Sequence, residues 1–168
     1  MENNLESQIA HLLRKDGLKL AVAESCTGGL LSSRITDVPG SSDYFLGGVV
    51  SYSNEAKNIL LGVSRKMLRE QGAVSRQVVL EMARGVRRDL EADIAVSVSG
   101  IAGPGGGLPK KPVGTTWIGL AASDGEWARN FCFHGDRQLN RASAVEAALQ
   151  LLLDYLNRET ELDADVCT

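Results

Sequence analysis

The stretch "LKLAVAESCTGG", residues 18–29, carries the pattern that decides the fold. Its first part, Leu18–Ala23, is a short apolar run typical of a buried strand, and the following segment, Gly28–Asp37, has a helical pattern that stops before a Pro-Gly pair. A buried strand that leads through a polar loop into a helix is the unit from which α/β domains are built. The loop also places Ser25, Cys26 and Thr27 side by side, so one of them is a candidate nucleophile.

The alternation of strands and helices continues along the chain. Further strands are predicted at Leu46–Tyr52, Ile94–Val98, Thr116–Ala122 and Trp127–Phe133, the last two joined by an Asp-Gly hairpin turn. Helices are predicted at Leu5–Arg14, Asn54–Leu61, Ser64–Gln71, Ser75–Glu91 and Arg137–Asn157. This order predicts a three-layer α/β domain with a largely parallel sheet that ends in an antiparallel hairpin. We expect residues 1–157 to form this single domain and residues 158–168 to form an acidic, loose tail.

Composition excludes several classes of protein. The chain has 168 residues, of which 43% are hydrophobic and 23% charged, as in soluble globular proteins. A net charge of −3 without a basic block argues against nucleic-acid binding, and no apolar run is long enough to span a membrane. Three widely spaced cysteines and the lack of a signal-peptide pattern indicate a reducing cytoplasm. Two scattered histidines are too few for a zinc site, so we expect no metal and no cofactor.

Three loops are expected to form the functional site. In open α/β sheets, ligands bind beyond the carboxyl ends of the strands. The loops Glu24–Gly29, Tyr52–Lys57 and Gly100–Gly107 fall there, so we expect them to converge. The last of them is rich in glycine and could present N–H groups to a phosphate, but it matches neither the P-loop nor the GxGxxG spacing. A flexible connector explains it equally well.

Two catalytic arrangements are disfavoured by the local sequence. His134 and Asp136 lie two residues apart, which makes them candidates for a Ser-His-Asp triad. However, Gly135 separates them and no GxSxG segment exists. Cys26 lacks a histidine placed by sequence to generate its thiolate, so packing is the better interpretation of that residue.

A serine and a lysine form the remaining candidate pair. Ser25 lies where the chain turns into a helix near Thr27, and unpaired N–H groups there could stabilise an oxyanion, although either residue could simply be an N-cap. Asn54 is a natural N-cap, which would place Lys57 in the first turn of its helix, against the positive end of the dipole. That position lowers a lysine pKa by less than about one unit, so a base near neutral pH also requires burial.

Six linked motifs resemble a known family. The segments "AESCTGG", "GGVVSYSNEAK", "GAVS", "SGIAGPGGG", "KPVGTTW" and "FHGDR" have the order and spacing of the CinA C-terminal domain, and the resemblance runs from about Leu5 to Leu156. Long CinA proteins also carry a domain that resembles molybdopterin-binding proteins, whereas this chain is similar to the stand-alone members, which are nicotinamide mononucleotide (NMN) deamidases. The resemblance implies an α/β/α fold with a five-stranded mixed, mostly parallel sheet.

The family resemblance also implies an activity and its residues. The implied reaction is hydrolysis of the NMN carboxamide to nicotinic acid mononucleotide and ammonia, in NAD recycling, by a Ser/Lys dyad without metal or cofactor. The motifs place the nucleophile at Ser25 and the base at Lys57, and they add Tyr52 and Ser42 as further catalytic positions. The implied substrate-binding positions are Thr27, Gly28, Gly29, Asn54, Ser99, Gly100, Gly103 and Arg137.

Some of these expectations carry further detail. Many relatives have threonine where this chain has Ser99, so a hydroxyl is retained. Main-chain N–H groups near Thr27–Gly29 would hold the oxyanion, Tyr52 would orient the lysine, and Arg137 with the glycine-rich loop would bind the 5′-phosphate. The apolar closing helix favours a homo-oligomer. A non-catalytic nucleotide-binding module and an amidase for another substrate remain the alternatives.

Overall fold

The structure, a computed structural model, describes residues 4–167 and places a six-stranded mixed sheet between two layers of helices. The strands are β1 (Leu20–Glu24), β2 (Phe45–Val50), β3 (Ile94–Gly100), β4 (Thr115–Ala122), β5 (Gly125–Cys132) and β6 (Ala164–Asp165). The helices are α1 (Leu5–Asp16), α2 (Leu30–Thr36), α3 (Asn54–Leu61), α4 (Arg65–Gln71), α5 (Arg76–Asp89) and α6 (Arg137–Leu156). The predicted three-layer α/β/α arrangement is confirmed.

The sheet orders its strands β2-β1-β3-β4-β5-β6. Strand β1 is parallel to both neighbours, β3–β4 and β4–β5 are antiparallel, and β6 is parallel to β5. The carboxyl ends of β1, β2 and β3 therefore lie at one edge of the sheet, where the three expected loops begin. No helix in residues 4–167 is long and apolar enough to cross a membrane.

The sixth strand corrects the expectation of five strands and a loose tail. Residues Ala164–Asp165 pair with Arg129 and Asn130 of β5. Leu162 is buried and its main-chain oxygen accepts a hydrogen bond from Nε of Arg129 at 2.8 Å. Acidic composition predicted solvation of the tail, but an apolar anchor and an edge strand with free hydrogen-bonding groups hold it against the sheet.

The tail also carries a disulfide that the wide cysteine spacing did not predict. Cys167 is bonded to Cys132 at the end of β5, and their Cα atoms are 4.9 Å apart. Cys26 is the free cysteine of the described residues and is buried.

The two faces of the sheet carry side chains of different size. Toward α1, α2 and α6 the central strands present larger residues such as Leu20, Val22 and Val96. Toward α5 they present Ala21, Ala23 and Ala95. Small side chains allow α5 to lie close to the sheet, because less side-chain volume separates the two layers.

Close packing also fixes α2 over the edge of the sheet. A Cβ atom added to Gly48 of β2 would lie 2.2 Å from Oγ of Ser32 in α2, so any other residue there would displace the Ser32 side chain. Helix α2 begins at Leu30 rather than at Gly28, because Gly28 and Gly29 have φ values of +56° and +103° that end the preceding turn. The chain between β1 and α2 is therefore a tight turn and not a helical one.

Candidate active site

The three expected loops converge on one cavity beyond the carboxyl ends of β1, β2 and β3. Its volume is about 270 Å³. The cavity is lined by eight of the residues that the family motifs single out, namely Ser25, Tyr52, Asn54, Lys57, Ser99, Gly100, Gly103 and Arg137. Among its described lining residues none carries a carboxylate, whereas Lys57 and Arg137 carry basic groups. The cavity therefore suits an anionic ligand.

Ser25 and Lys57 are in direct contact inside this cavity. The Lys57 amine lies 2.8 Å from Oγ of Ser25, and both residues are buried, with 1% of Lys57 and 8% of Ser25 exposed. This separation allows direct proton transfer between hydroxyl and amine. The contact joins the end of β1 to the first turns of α3, 32 residues apart in sequence.

The other contacts of the amine determine where its lone pair points. The Lys57 amine donates to the main-chain oxygen of Ser51 at 2.7 Å and to that of Tyr52 at 3.4 Å. Carbonyl oxygens only accept hydrogen bonds, so a neutral amine uses its two N–H groups on them. Its lone pair then faces Ser25, whose hydroxyl donates to it. The neutral lysine is thus oriented as a base toward the serine.

Burial makes the neutral form of this lysine accessible. It lowers the pKa of Lys57 from an ordinary value near 10.5 to about 8, while the neighbouring Cys26 acts in the opposite direction. Burial also raises the pKa of Cys26 to about 11, so its thiol stays protonated and is a poor nucleophile. These values favour Ser25 over Cys26 as the reacting group.

The start of α3 corrects the predicted helix cap. Ser53, not Asn54, is the N-cap, and its hydroxyl accepts from the amide of Ala56 at 3.0 Å. Lys57 therefore lies one position further from the helix N-terminus than expected, where the dipole acts more weakly. Asn54 instead lines the cavity from the first helical position. Burial, rather than helix position, lowers the lysine pKa.

A buried carboxylate organises the turn that carries the serine. Glu24 at the end of β1 is fully buried, and its carboxylate accepts five hydrogen bonds from the start of α2. The donors are the Thr27 hydroxyl, the amides of Gly29, Leu31 and Ser32, and the Ser32 hydroxyl, at 2.7–3.2 Å. The charge satisfies amides that begin α2 and lie at its positive end.

These hydrogen bonds change the predicted set of oxyanion donors. The Gly28 amide donates to the Ser25 carbonyl at 3.1 Å and the Gly29 amide donates to Glu24, so neither is free for a ligand. The Thr27 hydroxyl is equally committed. In the described part of this turn the amides of Cys26 and Thr27 form no hydrogen bond to another residue, and of these two residues only Cys26 lines the cavity. The Cys26 amide is therefore the candidate donor of this turn.

Helix α6 forms the opposite wall of the site. Arg137, its first residue, donates to the main-chain oxygen of Gly103 at 2.8 Å and to the Tyr52 hydroxyl at 3.0 Å. Arg141, one turn later, donates to the carbonyl oxygens of Cys26 and Thr27. The helix thus contacts both the glycine-rich loop and the serine turn.

Comparison with known proteins gives the family. The family model described as "CinA C-terminal domain" matches residues 2–156. The chain belongs to the CinA C-terminal domain family. It is 54% identical over 157 residues to a "CinA-like protein" of Chlorobaculum tepidum and 53% identical over 134 residues to one of Geotalea uraniireducens. These matches cover 90% and 80% of this chain but 37% and 32% of the relatives, so the chain spans about a third of their length.

Solved CinA structures have the same fold over nearly their whole length. The competence damage-inducible protein A of Klebsiella pneumoniae superposes with a TM-score of 0.89 at 36% identity, covering 93% of this chain and 97% of the other. A competence/damage inducible protein of Agrobacterium tumefaciens superposes with a TM-score of 0.85 at 39% identity, and the match covers 91% of this chain and 95% of the other.

Other predicted residues of the CinA domain lie where they do not contact the dyad. Ser42 is exposed in a 3-10 turn that precedes β2, whereas the cavity lies beyond the end of this six-residue strand, about 20 Å away. The structure therefore does not bring Ser42 to the cavity of the same chain, which corrects that prediction. The Tyr52 side chain contacts Arg137, and only the Tyr52 carbonyl reaches Lys57.

Further predictions about side chains have mixed outcomes. The Ser99 hydroxyl lines the cavity but donates to the Ala73 carbonyl at 2.8 Å. Asp136 caps α6 by accepting from the Leu139 amide, and His134 is exposed outside the cavity lining. The histidine triad is therefore not formed, in agreement with the sequence argument against it.

Sequence reasoning missed three features of the CinA site. The role of Glu24 could have been suspected from the sequence, because it is a charged residue at the end of an otherwise apolar strand. The same holds for Arg141, since it lies four residues after Arg137 and thus on the same helix face. The contact of the Ser51 carbonyl could not have been found from the sequence, because every residue has a main-chain oxygen whatever its type.

Proposed function

We propose that this CinA domain is an amidase that hydrolyses the carboxamide of NMN to nicotinic acid mononucleotide and ammonia. The observation that carries the proposal is the buried Lys57 amine, 2.8 Å from the Ser25 hydroxyl at the floor of an open cavity. A lysine of lowered pKa beside a serine is the arrangement that activates a hydroxyl as a nucleophile. Family membership supports the same assignment.

Acylation uses neutral Lys57 as the base. The amine accepts the Ser25 proton while Oγ forms a bond to the carboxamide carbon, and the carbonyl electron pair moves onto oxygen. The amide of Cys26, which follows Ser25 directly and belongs to a residue of the cavity lining, donates to this oxyanion. Protonated Lys57 then gives its proton to the departing nitrogen, the C–N bond breaks, and ammonia leaves.

Deacylation repeats these steps with water. Lys57, neutral again, accepts a proton from water as the water oxygen bonds to the acyl carbon. The second oxyanion collapses, the bond to Oγ breaks, and the proton returns from Lys57 to Ser25. The product is the carboxylate of nicotinic acid mononucleotide, a form from which NAD synthesis can proceed.

The charge of the cavity supports a phosphorylated substrate. Arg137 is exposed at the rim, and within residues 4–167 its guanidinium bonds two neutral oxygens, those of Gly103 and Tyr52. Its positive charge is therefore available to a phosphate, which guanidinium binds by paired hydrogen bonds. The cationic pyridinium of NMN withdraws electrons from the attached carboxamide and favours attack there.

The test is ammonia release from NMN by the purified protein, compared with nicotinamide, nicotinamide riboside and simple amides. We expect turnover of NMN to exceed that of nicotinamide, and acid quenching to trap a nicotinoyl-mononucleotide ester on the peptide that contains Ser25. Turnover of another amide instead would assign another substrate. NMN binding without any turnover would make the domain a nucleotide-binding module.

The rate should depend on pH through Lys57. Its neutral form is the base, so kcat/KM for ammonia release is expected to rise with pH and level off above a midpoint near 8. Below the midpoint the rate should fall about tenfold for each pH unit, because each unit reduces the neutral fraction tenfold. Initial rates between pH 6 and 10 measure this profile. A rate that falls as pH rises through this range would contradict the role of Lys57.

A further inference from the structure

We propose that the positively charged ring of a pyridinium carboxamide, once bound, holds Lys57 in its neutral form, so that the substrate itself prepares the base of the reaction. The inference rests on the proposed amidase function, since it concerns the same serine and lysine. It narrows the substrate class to amides carried on a cationic aromatic ring. It also gives the ring charge an effect on the protein in addition to its effect on the carboxamide.

The cavity offers no negative charge to a cationic ring. Among the described residues that line it none carries a carboxylate, and its two basic side chains are Lys57 and Arg137. A pyridinium ring in this cavity therefore forms no ion pair with the lining and is repelled by any positive charge nearby. Arg137 lies at the exposed rim, bonded to the Tyr52 hydroxyl, where a phosphate can neutralise it. The charge of the buried Lys57 amine stays unneutralised beside the ring.

The turn after β1 supplies no counter-charge to the Lys57 amine. Burial raises the pKa of the Cys26 thiol to about 11, so this neighbour of the amine stays protonated and uncharged. The carboxylate of Glu24, in the same segment, accepts five hydrogen bonds from the start of α2. Its charge is therefore directed at the amides of α2 and not at the lysine.

The other elements around the amine add no counter-charge either. The loop after β2 presents two main-chain oxygens, and the lining residues from β3 and from the loop before α5 carry no ionisable side chain. The ionisable side chains of α6 next to the site are Arg137 and Arg141, both cationic. On α3 itself, Glu55 pairs with Arg65 at the surface. The described hydrogen bonds of the Lys57 amine are thus all with neutral groups.

Attack by Ser25 requires the ring to lie close to the amine. The Lys57 amine is 2.8 Å from Oγ of Ser25. The carbon to be attacked must lie about 3–3.5 Å from Oγ, and it is bonded directly to the ring, so the ring centre lies within about 9 Å of the amine. At about 6–9 Å and an effective dielectric constant of about 20, repulsion between two positive charges shifts a protonation equilibrium by about one to two pH units. Binding of the ring should therefore release the Lys57 proton to solvent.

This coupling is reciprocal, because ligand binding and proton release are linked. The neutral lysine accepts the ring without repulsion, whereas the ammonium opposes it. NMN should therefore bind more tightly as the pH rises through the pKa of Lys57, which is about 8 in the free protein. A ligand of the same shape with a neutral ring should bind with little dependence on this pKa.

The experiment measures the binding of two ligands to Ser25→Ala by titration calorimetry at pH 6 and at pH 9. This variant keeps Lys57 and lacks the proposed nucleophile. One ligand is NMN, and the other is benzamide riboside 5′-monophosphate, which carries the same carboxamide, ribose and phosphate on a neutral benzene ring. Comparing the two cancels the titration of the phosphate and the desolvation of the lysine, which both ligands share. Lys57→Met is the matched control variant, because it lacks the amine.

We expect the Kd of NMN for Ser25→Ala, divided by that of the neutral ligand, to fall by about tenfold to fiftyfold from pH 6 to pH 9. In Lys57→Met this ratio should change by less than about twofold. In the unchanged protein, the kcat profile for NMN, which reports the complex, should have its midpoint about one to two pH units below that of kcat/KM, which reports the free protein.

The outcomes separate this inference from the proposed function. A constant ratio of the two Kd values in Ser25→Ala, or one that changes equally in Lys57→Met, would overturn the inference and leave ammonia release from NMN unaffected. The inference also fails if NMN does not bind, or if NMN binds and the neutral ligand does not, because a neutral ring meets no repulsion at any pH. A ratio that changes only where Lys57 is present, in a protein that never releases ammonia, would remove the amidase and keep the effect of the ring.

Discussion

Replacing Lys57 by methionine is expected to abolish ammonia release and to make the domain more stable. The variant lacks the base that accepts the Ser25 proton, so the rate should fall by about 10⁴-fold or more. Methionine has a similar length and no charge, so it removes the cost of burying an ammonium group. A gain of about 1–2 kcal/mol in the free energy of unfolding is expected near pH 7.

The gain in stability should depend on pH in a defined direction. The pKa of Lys57 is about 8 in the folded protein and near 10.5 when unperturbed. The cost of the buried charge is therefore fully present below pH 8 and is lost as pH rises to about 10.5. Urea unfolding at pH 7 and at pH 10 should show a larger advantage of Lys57→Met at the lower pH.

Ser25→Ala is the matched control for this result. It should be as inactive as Lys57→Met, since the nucleophile is gone, but it leaves the buried amine in place and should gain no comparable stability. A Lys57→Met protein that releases ammonia at the rate of the unchanged protein would rule out the Ser/Lys dyad. One that is less stable than the unchanged protein at every pH would show that the lost bonds to Ser51 and Tyr52 outweigh the charge.

Glu24→Ala is expected to give the largest loss of stability. The substitution leaves three amides and two hydroxyls without their acceptor, in a region where Glu24 itself is fully buried. We expect the free energy of unfolding to fall by about 3–5 kcal/mol, measured by urea unfolding. This is a large part of the stability of an ordinary domain, about 5–15 kcal/mol.

Two further variants keep that prediction testable. Glu24→Gln retains one acceptor oxygen and should fold with an intermediate loss, even where Glu24→Ala unfolds. Glu55→Ala removes an exposed glutamate whose ion pair with Arg65 lies on the surface, so its effect should be below about 1 kcal/mol. A Glu24→Ala protein as stable as Glu55→Ala would mean that water replaces the carboxylate at little cost.

Much of the fold could be predicted because the periodicity of apolar residues indicates which side chains are buried. The apolar run at Leu18–Ala23 and the run at Ile94–Val98 became β1 and β3, each within two residues of its predicted ends. The convergence of three loops followed from the parallel order of these strands. Strand β6 was not predictable in this way, because two residues in an acidic tail show no alternation.

The site was predictable where residue type carries the chemistry and not where the main chain does. Motif resemblance gave Ser25 and Lys57, and the structure adds their contact. The free amides, the Ser51 carbonyl and the true cap at Ser53 depend on backbone direction, which a one-residue shift of a helix start alters. Ser42 shows the converse error, because motif matching does not say which end of β2 a residue occupies.

The C-terminal tail closes an edge of the sheet that another molecule could otherwise occupy. Without it, β5 would present unpaired N–H and C=O groups, on which a strand of a second molecule could align. Asp163 accepts from the Ala128 amide and the Val166 amide donates to the Asn130 carbonyl, each at 2.8 Å. The segment also surrounds that edge with negative charge. A stretch that composition predicted to be loose therefore occupies the β5 edge at which another strand could pair.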